Sequence, residues 1–274
     1  MTLKGNSMTT AESQSSVSPT LVCSGRRAAT VIFVTVVIHT ILFFLPAPAL
    51  PIAAAIAGSL FALALLLRDP LAVHVTFLTF AIAICVVILP WPFFFVIPLA
   101  IYAAVVAATP SLRQTMFWWR LGKFDKPVWG LVILTVVASS AALLLWFFLL
   151  RPDLSNVLAL IPSWSPVLLI LSGLGFSLGN AAIEEFIYRG VMMQGLDAAV
   201  GANYLSVILQ AILFGFIHIV GVPGGWIGVS LATIYGLMLG LIRRVADGML
   251  APFVAHVFAD LVIFSIVTVW VKGT

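Results

Sequence analysis

Residues Ala181–Gly195 read AAIEEFIYRGVMMQG. Two adjacent glutamates, Glu184 and Glu185, and Arg189 sit inside a run that is otherwise apolar. An ionisable side chain at membrane depth costs roughly 2.5–3.5 kcal/mol on insertion scales, so it marks function by default. Whether this run lies in a membrane decides the fold. The composition answers that. The chain has 274 residues, 63% hydrophobic and 8% charged, with mean hydropathy +1.23. A soluble domain carries about 25% charged residues. The expected class is therefore all-α, a polytopic transmembrane helical bundle. A membrane β-barrel would show alternating segments of ~10 residues, and these runs are continuous and longer.

Outward from the triplet, nine apolar segments are expected: Ala28–Leu45, Pro51–Leu67, Leu71–Leu89, Trp91–Ala108, Val128–Leu150, Pro166 to about Tyr188, Tyr204–Val220, Trp226–Ile242 and Met249–Val271. The fourth is broken by Pro92 and Pro98, and eight spans result if it is re-entrant. Residues 1–25 read as a disordered tail rich in Ser and Thr, 26–150 as N-terminal membrane helices and 151–274 as a catalytic core. Arg26 and Arg27 before an apolar run resemble a signal peptide. The run has about 18 residues, longer than an h-region of roughly 7–15, so an uncleaved first helix is expected.

With the N-terminus inside and nine spans, eleven Lys and Arg residues fall on the inner side, and only Arg151 and Lys272 on the outer. This bias predicts a cytoplasmic N-terminus. Net charge, cysteine use and loop lengths suit a prokaryotic plasma membrane. The pI near 9.4 does not predict nucleic-acid binding, because the basic residues lie in loops without a basic helix. Cys23 and Cys85 are too far apart in character to predict a disulfide or metal pair. Trp118, Trp119 and Arg120 are expected to anchor the interface, as are Trp164, Trp226 and Trp270. His39 and His74 are expected to be packing residues. Gly173, Gly175 and Gly179 suggest close helix packing, or a helix break beside a site.

The late segments also hold His218, His256 and Asp260. Glu185 and Arg189 are i,i+4 and face each other, which lowers the cost of burying both. Glu184 is turned about 100° away and is the freer carboxylate, the better general-base candidate. His256 and Asp260 share a face, as do Phe214 and His218. Counted from the Gly201 turn, Glu184 and His218 would lie level, roughly 25 Å along straight helices. A helix from Pro166 through Val200 is too long for one span, so it is expected to start later, at the glycines, or to bend along the inner surface. A carboxylate with two imidazoles can activate water and stabilise an oxyanion, the parts of an amide hydrolase. The zinc-protease signature HExxH is absent.

These residues, Glu184-Glu185-x-x-x-Arg189, Phe214-x-x-x-His218 and His256-x-x-x-Asp260 in that order, resemble the CPBP (Abi, or CAAX-protease-like) family of intramembrane proteases. That family includes the type II CAAX prenyl endopeptidases. The resemblance covers about Ser165–Val271. It implies that Glu184 activates water with His218, while His256 and Asp260 stabilise the oxyanion or complete a metal site. Glu184, His218 and His256 would then hold a divalent metal such as zinc. The family's commonest residue at the last position is Asn, whose N–H can serve an oxyanion; Asp260 departs from that. The implied partners are the lipid bilayer and a peptide or protein substrate, prenylated or membrane-embedded. Two other readings stand beside this one: a non-catalytic scaffold, immunity or chaperone protein of the same family, and a transporter, which would show inverted repeats.

Overall fold

The structure is a computed structural model that describes residues 22–271. Most of the expected N-terminal tail, with Lys4 and Lys272, lies outside the described residues, as does the Trp270 side chain. All the regular structure described is helical. Nine apolar helices follow in order: α1 (Arg26–Ile41), α2 (Leu50–Leu67), α3 (Pro70–Ile88), α4 (Phe93–Ala108), α5 (Lys126–Leu150), α6 (Pro166–Val200), α7 (Tyr204–Ile217), α8 (Gly225–Ala246) and α9 (Leu250–Ser265). Seven are long and apolar enough to cross a membrane, and α4 and α7 are shorter. The fold is a polytopic helical bundle.

Local chemistry sets the helix ends. Asp69 caps α3 by accepting from the Ala72 N–H at 2.8 Å, and Asp125 caps α5 through Val128 at 3.2 Å. A proline follows each cap at the first or second helical position, where its missing N–H costs nothing. Arg68, Arg151 and Asp247 take left-handed backbone conformations that stop α2, α5 and α8. In α4, Pro98 sits inside the helix without ending it. Outward-facing apolar side chains such as Leu66 and Leu149 are exposed, as lipid-facing positions require.

Loops assigned to the same membrane side by a nine-span path touch one another. At the end expected inside, the Cys23 N–H reaches the Ala198 carbonyl at 3.3 Å and Lys123 N–H reaches Ala246 at 2.6 Å. There too, Ser24 N–H donates to Asp69 at 2.6 Å, and Arg120 pairs with Asp247. At the other end, Leu154 packs with Ile266 and Val267. Helix α4 thus runs beside α3 from one end of the bundle to the other.

The C-terminal part of α6 is the centre of the bundle. Residues 187–198 are buried without interruption, packed by α1, α3 and α7. Its buried charged and amide side chains find partners there: Arg189 meets Glu185, Gln194 donates to the Thr115 carbonyl and Asp197 pairs with Arg244. The long sixth helix neither starts at the glycines nor runs along a surface, as the sequence led us to expect. It is α-helical over Pro166–Glu184, widens to a π-helix over Glu185–Met192 and returns to α over Met193–Val200. Such π segments inside α-helices are frequent at functional sites. Of the three glycines, only Gly173 makes a close approach, to the Phe264 ring.

Trp118 is a second correction. It is 1% exposed, its ring lies over Gly190 and it packs edge-on to Phe186 at 4.8 Å. It belongs to the core, whereas Trp119, Trp164 and Trp226 are exposed in keeping with an interfacial place. His74 is a packing residue: it accepts from the Tyr102 hydroxyl at 2.6 Å through Nδ1 and donates to Leu112 through Nε2. His39 is fully buried beside Thr79.

Candidate active site

Three helices bring the sequence-selected residues together. Helix α6 supplies Glu184, Glu185 and Arg189, α7 ends at His218, and α9 carries His256 and Asp260. The widened turn begins at Glu185, where α6 passes into the core.

The two glutamates have separate surroundings. Glu185 is 2% exposed and meets Arg189 Nη1 at 3.0 Å through Oε1. The same oxygen accepts from His256 Nδ1 at 2.7 Å. Arg189 is fully buried, with its guanidinium carbon 4.1 Å from the centre of the Phe214 ring. A buried cation needs this double compensation of a carboxylate and an aromatic face. Glu184 is 18% exposed and its Oε2 lies 3.5 Å from His256 Nε2. No protein hydrogen bond occupies that oxygen among the described residues.

Phe214 is the aromatic hub. Its ring centre lies 4.7 Å from His218 and 5.8 Å from His256, the latter edge-on. His218 donates Nδ1–H to the Phe214 carbonyl at 2.8 Å. A carbonyl can only accept, so the neutral ring keeps its lone pair on Nε2. His218 begins the 3-10 turn that follows α7, which places the imidazole at a helix end rather than mid-helix.

His256 gives both ring nitrogens to carboxylates. Nδ1 is held by Glu185, and Nε2 faces Glu184 at 3.5 Å and Asp260 at 3.8 Å. Among the described residues no three His, Cys, Asp or Glu side chains converge as a metal-ligand set. Glu184, His218 and His256 as arranged do not fit the coordination expected for zinc, which needs lone pairs at about 2.0–2.2 Å aimed at one point.

Two residues of the site were not picked out in the sequence. Asn180 donates from Nδ2 to Glu184 at 3.2 Å and to Asp260 at 3.1 Å. Its signal was available, since it is an amide in an apolar helix one turn before Glu184. Tyr235 donates to the Ala255 carbonyl at 3.1 Å, and its ring stands edge-on to His256 at 5.6 Å. It lies on α8, and nothing in its spacing tied it to the motifs.

Cavities flank the cluster. One of about 140 Å³ is bordered by Phe214, His218, Tyr235, His256 and Asp260, with apolar residues of α5 opposite. Another of about 400 Å³ reaches Glu185 beside Trp118, Trp119, Arg120, Phe186 and Phe253. Apolar walls meeting a few convergent polar groups are what a binding site requires.

Residues 162–262, less than half of the chain, match the family model described as type II CAAX prenyl endopeptidase Rce1-like. That interval contains Asn180 and every catalytic candidate. No curated protein and no solved structure matches the chain.

Proposed function

We propose, from a chain whose residues 162–262 match the Rce1-like type II CAAX prenyl endopeptidase family model, that this protein is an intramembrane endopeptidase with Glu184 as its general base. The observation that carries the reading is the division of labour between adjacent glutamates. Glu185 is spent on Arg189 and His256, while Glu184 keeps an oxygen unpaired beside His256 Nε2.

In this reading, Glu184 takes a proton from a water molecule, and the water oxygen bonds to the carbonyl carbon of the scissile amide. His218 Nε2 accepts a hydrogen bond from the water's other hydrogen, which stays on that oxygen, and so orients the nucleophile. The carbonyl oxygen gains negative charge in the tetrahedral intermediate and receives a hydrogen bond from His256 Nε2–H. Glu185 holds that ring in place through Nδ1. The C–N bond then breaks as the proton held by Glu184 passes to the leaving nitrogen. The products are a carboxylic acid and an amine, and Glu184 returns to its starting state; the acid then gives its proton, by way of His218, to the amine, leaving a carboxylate and an ammonium. Protein carboxylates and imidazoles account for each proton, a glutamate-type route with no step through a metal.

The substrate class follows from the surroundings. The cavities are walled by apolar side chains inside a membrane bundle, which suits a lipidated or membrane-associated peptide. The basic loops suggest that the N-terminus is cytoplasmic, and net charge, cysteine use and loop lengths suit a prokaryotic plasma membrane.

The test uses purified full-length protein in detergent with a quenched prenylated peptide library. Wild type is compared with Glu184→Ala and His218→Ala, with and without a chelator. Cleavage by wild type that both substitutions abolish is expected. Equal cleavage in all three proteins would sink the reading. Absence of cleavage by wild type, with membrane proteins captured instead, would favour the scaffold alternative.

A further inference from the structure

We infer that Asn180 is a positioning residue that holds Glu184 and Asp260 on either side of His256, locking α6 to α9 across the site. The inference rests on the peptidase reading above and extends it to a residue outside the three motifs.

The geometry is a closed polar ring. Asn180 Nδ2 lies 3.2 Å from Glu184 Oε1 and 3.1 Å from Asp260 Oδ2. The other oxygens of these carboxylates face His256 Nε2, at 3.5 Å for Glu184 and 3.8 Å for Asp260. Each N–H of a single carboxamide therefore serves one carboxylate, both within normal hydrogen-bond length. The amide orientation is set by chemistry: two carboxylates can only accept when ionised, so nitrogen rather than oxygen must point at them.

The ring solves a problem that the sequence poses. Two acidic side chains from different helices converge on one imidazole at membrane depth, and like charges there repel strongly. Arg189 pairs with Glu185 and offers neither Glu184 nor Asp260 a hydrogen bond. Asn180 supplies donors to both and fixes one oxygen of each, which leaves Glu184 Oε2 aimed at the reaction centre. Reacting groups must be held to a fraction of an ångström, and a small misplacement far from the chemistry is costly in rate. Asn180 and Glu184 are one helical turn apart, so this hold on the base is local in sequence. Its hold on Asp260 spans 80 positions.

The test measures steady-state turnover of a quenched prenylated peptide by the purified full chain. Asn180→Leu has nearly the same shape without a donor, and Asn180→Gln keeps the carboxamide. Leu is expected to lower kcat about 10- to 100-fold, the worth of hydrogen bonds to charged groups, with KM changed less than about threefold. Gln is expected to recover part of kcat. In an Asp260→Asn background, which removes the opposing charge, the Leu substitution is expected to cost less than about threefold. Asn180→Leu turnover within about twofold of wild type would overturn the inference. So would equal losses with Leu and Gln, or a cost undiminished in the Asp260→Asn background. Glu184→Ala separates the two levels: if it cleaves like wild type, the peptidase reading itself fails.

Discussion

Glu185 Oε1 lies 2.7 Å from His256 Nδ1, and this one contact joins the π segment of α6 to the middle of α9. The oxygen also meets Arg189 at 3.0 Å, so a single carboxylate settles the orientation of an imidazole and the charge of a buried guanidinium. Removing it strips a buried cation of its partner, which costs about 3–5 kcal/mol. Glu185→Ala is therefore expected to lower the thermal unfolding midpoint and the yield of monodisperse protein. Size-exclusion profiles and a melting curve in detergent check this.

The neighbouring glutamate is expected to behave in the opposite way. Glu184→Gln preserves size and keeps an acceptor for Asn180, but it removes the base. Turnover is expected to fall about 10²–10⁴-fold, the usual worth of general-base catalysis, with an unchanged unfolding midpoint. A midpoint that drops as far as that of Glu185→Ala would assign both residues to structure.

Chelation provides a third prediction. His256 turns both nitrogens to carboxylates, and no ligand set converges among the described residues. Turnover after dialysis against EDTA is expected to stay within about twofold of the untreated enzyme, since a lost catalytic metal would remove several kcal/mol of transition-state stabilisation. Elemental analysis of the dialysed protein establishes whether any metal persisted. Loss of activity that zinc restores would contradict the glutamate-type route.

Close helix contact beneath His218 can be tested by one methyl group. A Cβ at Gly215 would lie 2.8 Å from the Val229 carbonyl and collide with Thr233. Helices α7 and α8 would have to separate just before the turn that carries His218. Gly215→Ala is expected to destabilise by about 1–3 kcal/mol and to reduce kcat, while Gly130→Ala, at a glycine with open space around it, is expected to do neither.

Topology can be read by labelling. In a Cys23→Ala, Cys85→Ala background, single cysteines replacing Lys123 and Asn203 are expected to react from the same membrane side. One replacing Asn156 is expected to react from the opposite side. Labelling of all three from one side would remove the nine-span path and, with it, the expected cytoplasmic N-terminus.

The sequence by itself determined the class and most of the cast. Unbroken apolar runs leave no fold open but a membrane helical bundle, because every backbone polar group in lipid must be satisfied within its own segment. Local periodicity sufficed for the pairs within one helix: Glu185 with Arg189, Phe214 with His218, and His256 with Asp260. These contacts depend only on residues one turn apart. Rarity of charge in apolar segments singled out Glu184 and Glu185.

Tertiary structure decided everything that one helix does to another. Nothing in a linear pattern states that Glu185 would take His256 from α9, or that Asn180 would reach Asp260, because helix rotation and tilt are set by packing across the bundle. The π turn at Glu185–Met192 belongs to the same class. It lets the long α6 pass through the core while keeping Glu185 and Arg189 inside, so neither a break at the glycines nor a surface bend is needed. Trp118 became a core residue for a similar reason: Gly190 offers its ring a seat that composition does not reveal. The chemical groups were legible in the chain because burying charge in lipid is too costly to be accidental. Their mutual geometry was not, because it comes from side-chain packing between segments far apart in sequence.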